Sequence, residues 1–215
     1  NELGLPVDAF CNGCYEKYIN ILRFLLYKED QAFYAGEVCD ISDMAVYKYV
    51  LTFPSLLILS EFGCLDLLED IKENILIPQS LVIFLRDQLE AEKRLQAISP
   101  GSMQKTKNGE LIMIKSDPSL IDTWENLLKT VVDFKRCTIT DTEILDFRFL
   151  DGFDLDQLRS GFKMSRNQID AIVLAKREKA VYICDDLFLR KITSACGITG
   201  NSSMFLLISS VPTRS

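Results

Sequence analysis

Residues 165–190 read SRNQIDAIVLAKREKAVYICDDLFLR. Ser165 and Gln168 have the spacing of a capping box, which starts a helix at that point. Ile169, Ile172, Val173 and Ala175 follow a helical period, and Arg177 and Lys179 fall at the end where cations offset the helix dipole. Val181-Tyr-Ile-Cys184 is short, apolar and β-prone, as a strand covered on both faces of a parallel sheet must be. Asp185 and Asp186 stand where that strand ends, and a second helix runs from Leu187 to Cys196 and stops at Gly197. Ligands of open α/β sheets sit outside the carboxyl ends of the strands. Asp170, near the start of the first helix, is expected to face the same crevice, and converging carboxylates suit a hard divalent cation. An Asp pair at such a junction also has a plainer use. One of the two caps the following helix, at about 1 kcal/mol. Capping needs one aspartate and leaves Asp170 unaccounted for.

The chain upstream repeats the alternation of strand and helix, which predicts an α/β domain. Residues 46–52 alternate and are β-rich, predicting the first strand. Pro54 suits the first turn of a helix reaching Gly63, and Leu65, Leu67 and Leu68 begin another. Residues 74–78 read as the second strand. Ser80 is the expected cap of a long helix to about Ile98, with Leu81, Phe84, Leu85, Leu89 and Leu95 inward. Residues 103–116 predict a hairpin turning at Asn108-Gly109. Its lysines, Lys105, Lys107 and Lys115, read as edge protection more readily than as an RNA arm, because no aromatic interleaves with them to stack a base. An amphipathic helix over 119–134, a strand over 136–140 and an N-cap at Asp141 follow. Asp151, Asp154 and Asp156 are peripheral and carry no assigned chemistry. After Gly197 a short link leads to Asn201-Ser-Ser, which caps a last apolar element over 204–208.

Composition narrows the function classes. The chain has 215 residues, 48% apolar, enough to bury one good-sized core. No apolar run reaches membrane-spanning length and the start has no signal-peptide form, so no membrane partner is expected. The chain does not begin with Met, which fits a segment of a larger protein. With no histidine, His-based triads, His-metal sites and imidazole bases are excluded. The net charge of −7 argues against strong nonspecific nucleic-acid binding but not against an acidic nuclease, whose metal neutralises its own site. Seven scattered cysteines predict a reducing, cytoplasmic setting. Cys11-Asn-Gly-Cys14 lacks the second ligand pair of a zinc site and the strand-helix context of a redox motif, and reads as two ordinary thiols. No glycine-rich phosphate loop is present.

A helix containing Asp170-Ala171, then an apolar strand ending in Asp185-Asp186 and followed by Leu189-Arg190, resembles the C-terminal half of a PIN domain. Pro54-Ser-Leu-Leu57 after the first strand and Gly197-Ile198 near the end extend the resemblance over about residues 47–208. The subgroup it most resembles is the PIN-like domain appended to large tetratricopeptide-repeat proteins. The resemblance implies a three-layer α/β/α fold with a central, mainly parallel sheet over residues 46–210; before it, Phe10, Cys14, Ile21, Leu22, Leu25 and Leu26 recur at helical spacing and predict a helical segment and connector over 1–45. It implies a Mg²⁺- or Mn²⁺-dependent ribonuclease, with Asp170, Asp186 and Asp185 as catalytic and metal-binding residues. Two positions depart from the family's pattern. Thr52 stands where the first strand normally ends in an aspartate, and Phe84 stands where the long helix normally carries a glutamate. Asp87, three residues on, is the candidate replacement ligand. Two classes therefore stand side by side: a metal-dependent endoribonuclease with an incomplete acidic site, and a degenerate PIN-like module that binds RNA or another domain of a larger protein without cutting.

Overall fold

The computed structural model describes residues 47–98, 101–105, 108–115, 119–133, 139–140, 158, 161 and 163–210. The N-terminal helical segment, Cys11, Cys14, Lys107, Asp141 and the acidic stretch from Asp151 to Asp156 lie outside the described residues.

Short apolar runs build the sheet. β1 (Tyr49–Leu51), β2 (Ile75–Pro78) and β6 (Val181–Ile183) are buried at every position, so no polar alternation is possible. With β5 (Ile139–Thr140) and β7 (Gly200–Asn201) they form one sheet in the order β5-β2-β1-β6-β7, every neighbouring pair parallel. The chain lays β2 and β5 on one side of β1, then β6 and β7 on the other. The order therefore reverses between β1 and β6, which is where α/β sheets open a crevice at their carboxyl edge.

Among the described residues six α-helices flank the sheet: α1 (Phe53–Glu61), α2 (Gln79–Ile98), α3 (Ser119–Asp133), α4 (Arg166–Glu178), α5 (Leu187–Ala195) and α6 (Ser203–Ser210). Strand side chains alternate between two cores. Tyr49, Leu51, Ile75, Ile77, Val181 and Ile183 pack with α1, α2, α3 and α6. Val50, Leu76, Tyr182 and Cys184 pack with α4 and α5. The result is the three-layer α/β/α arrangement expected from the sequence. Among the described residues, no helix is long and apolar enough to cross a membrane.

Local differences have local causes. β1 is shorter than the predicted 46–52 because Thr52 already occupies the N-cap position of α1, with Pro54 in the first turn, where no amide is needed. Residues 65–74 form a 3₁₀ helix, not an α-helix, and only Leu68 in it is buried. α2 begins at Gln79, so Ser80 lies inside its first turn and is not the predicted cap. Leu95 is 57% exposed. The buried stripe runs through Leu81, Leu85, Leu89 and Glu92, and the 3.6-residue period carries Leu95 off it. The predicted hairpin is present as β3 (Gly101–Lys105) against β4 (Leu111–Lys115), but Lys105 pairs with Leu111, so its loop spans five residues, 106–110. The link before Asn201 is a strand: Gly200 belongs to β7, and a Cβ there would lie 3.1 Å from Thr193 Oγ1 on α5. That close approach is why the position is glycine.

Candidate functional site

The candidate site lies at the carboxyl edge of the sheet, where β1 and β6 diverge. Thr52 follows β1, and Asp185 and Asp186 follow β6. All three are buried, at 3%, 5% and 3% exposure. Asp170 comes from α4, where Ser165 and Gln168 form the predicted capping box and the Ser165 amide donates to Gln168 Oε1 at 2.9 Å. Asp170 is also buried, at 3% exposure.

The two consecutive aspartates part company because β alternation continues past the strand end. Ile183 faces the α1/α6 core and Cys184 the α4/α5 core, so Asp185 returns to the first side and Asp186 to the second. Asp186 is the N-cap of α5: its Oδ1 accepts from the amides of Phe188 at 2.9 Å and Leu189 at 3.3 Å. Asp185 caps a different helix. Both of its oxygens receive the amide of Ser203, at 3.1 and 3.2 Å, at the start of α6. Burial pushes the Asp185 carboxyl above its ordinary range, against hydrogen bonds from Ser203 and Ser55 and the charge of Arg190. The neighbouring Cys184 thiol is pushed up as well, mainly by burial, which leaves it inert.

Asp170 differs from this pair. Its Oδ2 is buried and accepts no hydrogen bond within the described structure. Its ion pair is with Arg166 Nε at 3.5 Å, one turn earlier on the same helix. An under-satisfied buried carboxylate oxygen is the kind of ligand a divalent cation takes, so the donor chemistry at Asp170 fits the metal that the sequence implied. Among the described residues no three His, Cys, Asp or Glu side chains converge closely enough to hold an ion together. Any cation here therefore relies on few carboxylates plus water.

The remaining predicted residues are placed as follows. The Thr52 hydroxyl donates to the Ile183 carbonyl at 2.9 Å and lies 3.5 Å from Ser55 Oγ, tying β1 to β6 across the opening. Phe84 is half-buried and meets Phe53 and Trp124 edge-on, at ring-centroid distances of 5.1 and 6.2 Å. An aromatic cluster thus stands where the family pattern has a glutamate. Asp87 is exposed on α2. Sequence reasoning missed Ser55, Arg190, Asn201 and Ser202, all buried polar residues at this edge. The signal for the last two was the Asn-Ser-Ser run, read only as a cap. Both Asn201 amide atoms and Ser202 Oγ lack a hydrogen-bond partner within the described structure.

A family model described as a PIN domain associated with the TPR-GreAB-C-PIN system matches residues 50–195. That span holds β1 from Val50 on, β2 and β6, the switch point between β1 and β6, and Asp170, Asp185 and Asp186. No curated protein and no solved structure matches the chain significantly. PIN domains are generally nucleases dependent on divalent metal. The match covers most of the chain and agrees with its fold and acidic edge: the chain belongs to the PIN-domain family.

Proposed function

We propose that the domain is a Mg²⁺- or Mn²⁺-dependent endoribonuclease with a reduced acidic set, in which Asp170 and Asp186 hold the cation. The observation that carries this reading is Asp170 Oδ2, a buried carboxylate oxygen with no hydrogen bond in the described structure. Leaving such an atom unsatisfied costs about 1–3 kcal/mol or more, a cost a bound cation removes. The cation would supply an activated water and charge stabilisation on the phosphate. Asp186, held through Oδ1 by two backbone amides, presents a carboxylate of fixed orientation. Asp185 supports the site from behind by fixing the start of α6. Asp87, exposed on α2, stands outside this set. With a net charge of −7, the chain would hold RNA through the metal more than through a basic surface. The free cysteines Cys64, Cys184 and Cys196 are consistent with a cytoplasmic setting, and the family description fits a domain working beside tetratricopeptide repeats.

A second reading, a degenerate module that binds RNA or a neighbouring domain without cutting, is favoured by one specific observation. The residue in the first acidic position, Thr52, is neutral and commits its hydroxyl to a backbone carbonyl. Calorimetry of Mn²⁺ binding to the wild type and to Asp170→Asn/Asp186→Asn, followed by cleavage of single-stranded RNA, separates the two. Mn²⁺ binding lost in the double variant, with metal-dependent cleavage in the wild type, supports the nuclease. Binding without cleavage supports the degenerate module. No binding at millimolar Mn²⁺ removes the metal site from both.

A further inference from the structure

We infer that Asn201 and Ser202 form a neutral outer shell for the cation, accepting hydrogen bonds from its waters beside Asp185 and Asp186. The inference rests on the metal-dependent reading above and assigns a positioning role to two side chains outside its acidic set. Both residues are 1% exposed. The amide nitrogen and oxygen of Asn201 and the hydroxyl of Ser202 have no hydrogen-bond partner among the described residues. A buried polar group without a partner is costly, and three such atoms on two consecutive residues call for something that answers them.

The position of the run ties it to the site. Asn201 pairs with Ile183 across β7 and β6, and its carbonyl accepts from the Cys184 amide at 2.8 Å. The two aspartates follow Cys184 directly. A Cβ at Gly200 would meet Thr193 and Arg190 of α5, so alternation turns Asn201 to the Asp185 side of the sheet and returns Ser202 to the Asp186 side. One unpartnered side chain therefore accompanies each aspartate.

Helix capping does not explain Ser202. It stands directly before α6, where a serine hydroxyl normally accepts from an amide of the first turn. Instead the Phe205 amide donates to the Ser202 carbonyl at 3.1 Å, the Ser203 amide goes to Asp185, and the hydroxyl is left over. Direct contact with the ion is disfavoured as well. The start of α6 is the positive end of its dipole, and the Arg190 side chain lies against Gly200. A water in between removes the conflict. A divalent ion held by few carboxylates keeps several waters, and those waters donate strongly and need acceptors. Asn201 and Ser202 offer neutral oxygens for them, and the Asn201 amide nitrogen donates to a water in turn.

The test uses the full chain and five proteins: wild type, Ser202→Ala, Ser202→Thr, Asn201→Leu and Asp170→Asn. In Mn²⁺ calorimetry Ser202→Ala and Asn201→Leu should each bind about tenfold more weakly, the lower end of what an outer-shell partner contributes. Ser202→Thr keeps the hydroxyl and should bind as the wild type does. Urea unfolding in EDTA supplies the readout that a structural role would move the other way. There Ser202→Ala should be at least as stable as the wild type, because it removes a buried oxygen that has no partner. A Ser202→Ala chain less stable in EDTA overturns the inference whatever its Mn²⁺ affinity, because the hydroxyl then serves the fold. If Asp170→Asn abolishes Mn²⁺ binding while Ser202→Ala and Asn201→Leu bind as the wild type does, the outer shell is overturned and the cation reading stands. If the wild type binds no Mn²⁺, or Asp170→Asn binds it equally well, the metal reading itself fails, and the inference fails with it.

Discussion

Thr52 Oγ1 donates to the carbonyl of Ile183, 131 positions away, and bridges the sheet where its strand order reverses. A carboxylate in its place has no proton to give, so an aspartate there would set acceptor against acceptor. The neutral residue is thus part of the local hydrogen bonding and not a simple loss of charge. Asp185 is the companion case, a carboxyl buried at the same edge and held by the Ser203 amide. Its folded-state pKa is raised, first by burial. Ionising it is therefore harder in the folded chain than in the unfolded one. The stability it contributes is fully present below the ordinary carboxylate value of 3.8 and is lost as pH rises through its folded value. Asparagine keeps an oxygen for the Ser203 amide and has no charge to desolvate. Thermal melts at about pH 4 to 8 should show Asp185→Asn gaining on the wild type as pH rises from the ordinary value upward. A difference that instead grows on acidification would show that the Asp185 charge stabilises the fold.

Asp186 acts at the scale of a whole helix, because it satisfies the Phe188 and Leu189 amides in the first turn of α5. Asp186→Ala should cost about 1–2 kcal/mol in urea unfolding, while Asp186→Asn should stay near the wild type, since Asn caps as well as Asp. If the nuclease reading holds, both variants should weaken Mn²⁺ binding, and so the Asn variant separates the cap from the ligand. This cap was legible in the sequence because it is local: strand end, Asp, apolar helix. The box at Ser165 and Gln168 was legible for the same reason, and with the buried runs at β1, β2 and β6 it gave the layers. What depends on contact between distant elements was not legible. Asp185 meets an amide 18 positions on, and nothing in the pair Asp185-Asp186 says that they serve opposite faces of the sheet. β7 is only two residues long, too short for any periodicity, and its place is decided by Tyr182 pairing with Gly200. Leu95 shows the limit of a period read without its partner surface, because apolarity marked it inward and the helix turned it out.

The whole molecule carries −7 at neutral pH and buries four polar side chains, Thr52 after β1, Asp185 and Asp186 after β6, and Asp170 on α4. Backbone amides answer Asp185 and Asp186, and a carbonyl answers Thr52; among the described residues Asp170 has an ion pair with Arg166 at 3.5 Å, and its Oδ2 accepts no hydrogen bond. A ligand that binds the folded chain and not the unfolded one stabilises it by mass action, at about 2.7 kcal/mol for a concentration one hundred times Kd. For a domain of this size each kcal/mol shifts Tm by about 2–4 °C, so saturating Mn²⁺ should raise Tm by roughly 5–10 °C. The rise should continue with the logarithm of Mn²⁺ concentration once the site is filled, whereas general screening of surface charge saturates and is matched by a monovalent salt of equal ionic strength. Asp170→Asn should abolish the metal-dependent part and keep the screening part. If wild type and Asp170→Asn rise in parallel, the ion is answering net charge alone, and the buried oxygen of Asp170 is satisfied from within the protein.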